Sequence, residues 1–181
     1  MTSTSSSIPA DTKDWTVVLR QGCEQCGFTP DFPYSEVSER LQALIPAVTE
    51  IFERPTEELV SRPDATTWAP VEYLAHSAEV CEVMMDRLQL MLVQDNPQFP
   101  SWDQDAAAVD GAYLERPLGH VKRDVLTNLQ HASTEFEKVP ADLLSRAGTR
   151  GDGGKFTIRT LAEYFVHDVE HHVFFDLVAE R

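Results

Sequence analysis

Hydrophobic and polar positions from residue 35 onward recur at steps of three and four, which is the period of an amphipathic helix. Four stretches show this pattern, at residues 35–53, 70–93, 118–138 and 157–179. Pro70 suits the first position of the second helix, and Thr157 is a suitable N-cap for the last. Since no stretch of any length alternates as a strand does, the sequence predicts an all-α four-helix bundle over residues 35–181.

The segments between these helices have their own signals. Residues 94–117 contain Pro97 and Pro100 and are long enough for a crossover connection, with a short helix predicted near 106–113. The glycine-rich residues 148–155 predict a loop. Residues 1–34 have no sustained period and are predicted to form an irregular N-terminal arm laid over the bundle.

Charge and composition exclude several classes of function. Thirty acidic residues against fifteen basic ones give a formal charge of -15. Such a chain lacks the basic surface that nucleic acids and anionic membranes require. Residues 1–11 do not resemble a secretory signal, and no apolar run approaches the roughly 20 residues of a membrane-spanning helix. Three cysteines do not make a disulfide framework, so we expect a reducing, cytoplasmic location.

The last predicted helix carries a pair of histidines one turn apart. His167 and His171 share a face of this helix, and Tyr164 lies on the same apolar side. His172 falls on a different face, and Asp168 lies about a quarter-turn away. Such a pair is either half of a metal site or two buried histidines satisfied by hydrogen bonds.

His76 is the candidate third ligand. It lies two turns into the second helix, near the edge of the apolar face, where a lone histidine is usually structural. His120 and His131 point away from the apolar stripe of their helix, so we expect them to be solvated. The pattern therefore predicts that His76, His167 and His171 bind one divalent metal ion inside the bundle.

Acidic residues near His76 are candidate helper groups. Glu72 and Glu79 lie one turn to either side of His76 and could orient its ring, or they could be solvated residues of an acidic surface. Asp103 and Asp105 lie in a long connection that could fold over the site, or one of them could cap a short helix.

Tyr164 and the cysteines allow two interpretations each. Tyr164 could supply a proton or a hydrogen bond to the site, or belong to the core. Cys23 and Cys26 form one C-x-x-C motif, but a four-cysteine zinc site would need a second pair, which the chain lacks. Cys81 is expected to be a small core residue.

Several of these motifs resemble the DinB/YfiT-like superfamily. The segment Trp68–Glu72 followed by His76, the pair His167 and His171, and the run from 164 to 172 are similar to that family in order and type. The resemblance covers the chain from about residue 35 to its end. It implies a bundle with up-down-down-up topology and a three-histidine site for a divalent metal, often zinc or nickel.

Three imidazole ligands leave at least one position of the metal open, as in catalytic sites. The resemblance also suggests which activities such a site could have. It implies either a transferase that uses a low-molecular-weight thiol such as mycothiol or bacillithiol, or a metal-dependent hydrolase. Both would act on a small-molecule substrate. Arg87 is the candidate contact for a thiol cosubstrate. A non-catalytic bundle that binds metal or a small apolar ligand stays open, and a homodimer is suggested by the family alone.

Overall fold

The four predicted long helices are present in the computed structural model, which describes residues 8–178. The helices are α1 (Val18–Gln21), α2 (Glu36–Ile51), α3 (Thr56–Leu59), α4 (Pro70–Val93), α5 (Gln104–Asp110), α6 (Leu118–Glu137) and α7 (Ile158–Glu170). The last helix continues past α7 as a π-helical segment, His171–Val178. Its predicted end at residue 179 lies outside the described residues.

Helices α2, α4, α6 and α7 form a four-helix bundle, as the sequence predicts. Each of α2 and α4 packs against both α6 and α7. The apolar stripes that predicted the helices meet in one core, and their central side chains are fully buried: Leu41, Leu44, Leu74, Leu88, Val125, Leu129 and Phe165. No helix among the described residues combines the length and apolar composition needed to cross a membrane.

The loop predicted at residues 148–155 is confirmed only for residues 151–154, which form a turn; the residues on either side form strands of a small sheet. Strand β2 (Ala147–Arg150) pairs antiparallel with β3 (Lys155–Thr157) and parallel with β1 (Gln98–Phe99). Such short strands show no alternation in the sequence. Gly148 is required here, since a Cβ would lie 2.7 Å from Phe99 Cε1. The sheet anchors the start of the long connection beside α4.

The N-terminal arm is more ordered than the sequence predicts. It contains a 3-10 turn at Trp15–Val17, then α1, and then a tight turn in which Cys23 and Phe28 form a β-bridge. Helix α1 packs against α7, and Phe28 is buried in the core. The arm therefore covers one face of the last helix of the bundle.

Candidate metal centres

The histidines fall into two populations. His120 and His131 are exposed, as their helix face predicts. The other four histidines lie along the last helix and on α4, where they form two groups of potential metal ligands. The open group is His76, Asp168 and His172; the arm group is Cys23, Cys26, His167 and His171. In each group one donor atom per residue lies within 4.8 Å of all the others.

The structure does not gather the three histidines that the sequence groups together. Neighbouring residues of a helix point about 100° apart, so the pairs 167/171 and 168/172 occupy adjacent faces of the last helix. Helix α4 brings His76 to the face of Asp168 and His172, whereas the arm covers the face of His167 and His171. The expectation that His172 lies apart from the site is therefore corrected: His172 is the residue that joins His76.

The distances between donor atoms in the open group are those expected of ligands that bind one metal ion. Asp168 Oδ1 lies 3.2 Å from His76 Nε2 and 3.6 Å from His172 Nε2. Nitrogen and oxygen ligands of a tetrahedral zinc would lie about 3.4 Å apart. Two imidazoles and a carboxylate are a usual ligand set for a divalent metal, so the residues present fit such an ion.

Asp176 orients the ring of His172. His172 Nδ1 lies 2.8 Å from Asp176 Oδ2, so an Nδ1–H can donate to that carboxylate while Nε2 faces Asp168. A metal-binding histidine normally makes such a bond with its second nitrogen. Burial opposes a charge on His172, but the Asp176 hydrogen bond and the Asp168 charge outweigh burial and raise its pKa. Asp168 has a pKa lowered to about 2: burial opposes this, and the His76 hydrogen bond and nearby imidazoles outweigh it.

His76 is enclosed by aromatic rings. Trp102 stacks on its imidazole with ring centroids 5.3 Å apart, and Trp68 lies 5.4 Å away on centroids. The ring is fully buried, and burial lowers its pKa although Asp168 opposes that shift. Its Nδ1 has no hydrogen-bond partner among the described residues. His76 is therefore held neutral, which is the form that binds a metal.

A cavity of about 50 Å³ lies beside the last helix and is lined by Asp168 and His172 of the open group and by His167 and His171 of the arm group. A larger cleft of about 520 Å³ shares part of its lining. Both are lined by residues of the arm, of α5 and of α7: Asp11, Trp15, Gln104 and Tyr164. The open group thus lies beside a space that can hold a small molecule.

Tyr164 and Arg150 supply polar groups to the cleft. Burial raises the pKa of Tyr164 to about 12, so its hydroxyl stays protonated at neutral pH. Arg150 lies over the Tyr164 ring at 6.0 Å and pairs with Asp152 at 2.8 Å. Lys13 also lines the cleft. Arg150 and Lys13 have no signal in the sequence, because they are brought here by the hairpin and the arm.

Glu72 and Glu79 lie on α4 but are held by other residues. Arg62 binds both oxygens of Glu72 at 2.8 and 2.6 Å, and Glu72 also accepts the backbone N–H of residue 69, which closes the start of α4. Glu79 accepts from Tyr113 Oη and from Arg116. The carboxylate hydrogen-bonded to His76 is instead Asp168.

Of the remaining predicted residues, Asp103 and Asp105 line the cleft and Arg87 does not. Asp103 caps α5 by accepting the N–H groups of residues 105 and 106, and Asp105 accepts the N–H of Asp11 at 3.0 Å. Both line the cleft. Arg87 is buried over Phe99 and points to the Pro100 carbonyl. It is not among the residues that line the cleft.

Comparison with known proteins agrees with this architecture. A sequence model of the DinB superfamily matches residues 34–173. The fold is similar to that of YfiT from Bacillus subtilis, described as a probable metal-dependent hydrolase with an unusual four-helix bundle topology. The two share 12% identity with a TM-score of 0.72, over 78% of this chain and 82% of YfiT. No curated protein matches the chain. Cys23 and Cys26 precede the matched family region.

Proposed function

The chain belongs to the DinB superfamily, and we propose on this premise that it is a metal-dependent hydrolase of a small polar substrate. The observation that carries the proposal is the open group. Two of its three residues, Asp168 and His172, line a cavity, and Asp176 already orients the ring of His172. Three protein ligands leave at least one position free, as in catalytic zinc sites.

Each residue has a role that follows from its contacts. A bound divalent ion supplies Lewis-acid polarisation of the substrate and activation of water. Trp68 and Trp102 keep water away from His76, which strengthens electrostatic interactions at the site. Tyr164 keeps its proton at neutral pH and can donate a hydrogen bond to a substrate oxygen in the cleft.

The similarity to YfiT supports hydrolysis, since that protein is described as a probable metal-dependent hydrolase. The position of Arg87 argues against this residue as the contact for a thiol cosubstrate, because its guanidinium is buried against Phe99 and the Pro100 carbonyl. The open group contains nitrogen and oxygen donors, which suit zinc, nickel or iron. Zinc and nickel are the two metals that we propose to test first.

A thiol-dependent transferase is the second candidate. Its supporting observation is the pair of cations in the cleft, Lys13 and Arg150, which could bind the polar groups of a low-molecular-weight thiol. Either activity uses the same open group and a small-molecule substrate.

The test measures metal content and turnover together. Protein loaded with zinc or nickel is assayed on a panel of ester and amide substrates, with and without added thiol. We expect turnover without thiol, lost by more than ~100-fold in His76→Ala, since even the loss of a residue that only orients a ligand costs 10–100-fold. His131→Ala is the matched control, because His131 is exposed. Turnover that requires thiol would favour the transferase. Equal turnover in His76→Ala and His131→Ala would show that the open group is not the catalytic metal site.

A further inference from the structure

The arm group lies on the adjacent face of the same helical stretch and has different donors. Two thiols and two imidazoles have donor atoms within 4.8 Å of one another. Cys23 Sγ lies 3.7 Å from His171 Nδ1. Sulfur and nitrogen ligands of one tetrahedral zinc would lie about 3.6 Å apart. Cys23 and Cys26 are free thiols rather than a disulfide.

One donor of the arm group is buried without a partner. His167 is 3% exposed, and its Nε2 has no hydrogen-bond partner among the described residues. Its ring lies between Trp15 and Phe28, at centroid distances of 5.6 and 5.1 Å. A buried imidazole nitrogen that is left unsatisfied costs about 1–3 kcal/mol. A bound metal ion would give this nitrogen a partner.

The backbone of the arm is shaped to present the two cysteines. Cys23 N–H donates to the Phe28 carbonyl, and Gly27 N–H donates to the Cys23 carbonyl. Gly22 and Gly27 have φ of 73° and 76°, which favours glycine. A Cβ on Gly22 would lie 2.5 Å from the Phe28 oxygen. The turn is therefore tight, and it places both cysteines beside His167 and His171.

We infer that Cys23, Cys26, His167 and His171 bind a second metal ion, of the zinc class, that fastens the arm to the last helix. A thiolate and imidazole donor set selects zinc over magnesium or calcium. Four protein ligands close the coordination sphere, so this ion is structural, in contrast to an ion in the open group.

Fastening the arm affects the cleft, because the arm supplies part of its wall. Asp11 and Trp15 line both the small cavity and the larger cleft. Trp15 also contacts the rings of His167 and His171. Removal of the arm ion should therefore release this wall and expose the arm to proteases, before the bundle itself unfolds.

The test uses sulfur as the signature of this site, since the open group contains none. The intact chain is loaded with cobalt(II) or zinc. We expect thiolate-to-cobalt charge-transfer absorption, and X-ray absorption of the zinc form should show sulfur at about 2.3 Å. Cys26→Ser should remove the cobalt signal and weaken binding of this ion by about 100-fold or more, because loss of a residue that only orients a ligand already costs 10–100-fold. Protease cleavage within the arm should become faster.

Cys81→Ser is the matched control, because Cys81 is a free thiol that belongs to neither group. It should keep the sulfur signal. A variant His76→Ala should also keep it, which separates this proposal from the hydrolase proposal. Absence of sulfur ligation in the intact metal-loaded protein would overturn the inference without any variant. An unchanged sulfur signal in folded Cys26→Ser would overturn it as well.

Discussion

The open group and the arm group occupy adjacent faces of one helical stretch, yet they differ in donors and in surroundings. The open group has a carboxylate, Asp168, and His76 of this group is enclosed by Trp68 and Trp102. The cavity of about 50 Å³ is lined by residues of both groups. The arm group has two thiols and is covered by Trp15 and Phe28. The difference shows that residues one position apart on a helix acquire different chemistry from whichever element packs against each face.

The pKa values of the histidines also differ between the two groups. In the open group, Asp176 and Asp168 raise the pKa of His172 against the effect of burial, and Asp168 itself has a pKa of about 2. In the arm group, burial lowers the pKa of His167 to about 4 and also lowers that of His171. Burial raises the pKa of Cys26 to about 11. Without metal, the carboxylates of the open group favour a proton on His172, whereas burial in the arm group favours the neutral forms of His167, His171 and Cys26.

The largest expected effect comes from removing one ligand of each group separately. His172→Ala should reduce turnover by more than ~100-fold, because it removes both a ligand and the hydrogen bond that His172 donates to Asp176. The sulfur-bound cobalt signal should survive in this variant. His167→Ala should remove the sulfur-bound cobalt signal and leave metal binding at the open group in place. If either variant removes both the sulfur-bound cobalt signal and metal binding at the open group, the two groups act as one site.

The pH dependence of the metal-free protein should separate the two groups next. The folded pKa of His167, about 4, lies below its ordinary value of 6.5, so the unfolded chain binds more protons between these values. The free energy of unfolding should therefore fall by about 2 kcal/mol as pH drops from 6.5 to 4.

His172 opposes this loss, since its raised pKa stabilises the folded state at low pH. Urea unfolding with a chelator at several pH values measures the sum. The variant His167→Gln should have a flatter profile than the wild type. A profile of His167→Gln as steep as that of the wild type would contradict the lowered pKa of His167.

Asp176→Asn should weaken the open group by about 10-fold in metal affinity, since residues that orient ligands typically contribute 10–100-fold. Asparagine retains an acceptor for His172 Nδ1 but loses the charge. Asp176 also lies 3.9 Å from His171 Nε2, so a smaller loss is expected at the arm group. Metal titration of both signals measures this, with the exposed Asp110→Asn as control. Equal losses at the two groups would show that Asp176 does not distinguish them.

The smallest effect on either group should come from Glu72→Gln. Glutamine can keep part of the hydrogen bonding to Arg62 and to the start of α4, while the charge pairing is lost. The free energy of unfolding should fall by about 1 kcal/mol. Turnover and metal affinity should change by less than about 2-fold, because Asp168, not Glu72, contacts His76. A large loss of metal would restore Glu72 as a helper group.

The long helices could be predicted because each buries a continuous stripe of its own residues. The bounds of α4 agree with the predicted range, and Thr157 caps α7 by accepting the N–H of residue 160 at 3.2 Å. The three-stranded sheet could not be predicted, since its strands have two to four residues and are paired across the chain. The ordered structure of the N-terminal arm could not be predicted for the same reason, because the arm contacts residues that are distant in the sequence.

For the candidate sites, the sequence by itself determined which side chains could bind a metal and which of them share a helix face. Helical geometry is local, so His167 pairs with His171 whatever surrounds them. Only the tertiary structure decided the partners. The packing of α4 brought His76 to Asp168 and His172, and the arm brought Cys23 and Cys26 to the other face. These contacts depend on which elements adjoin, and that is set by the packing of the whole core.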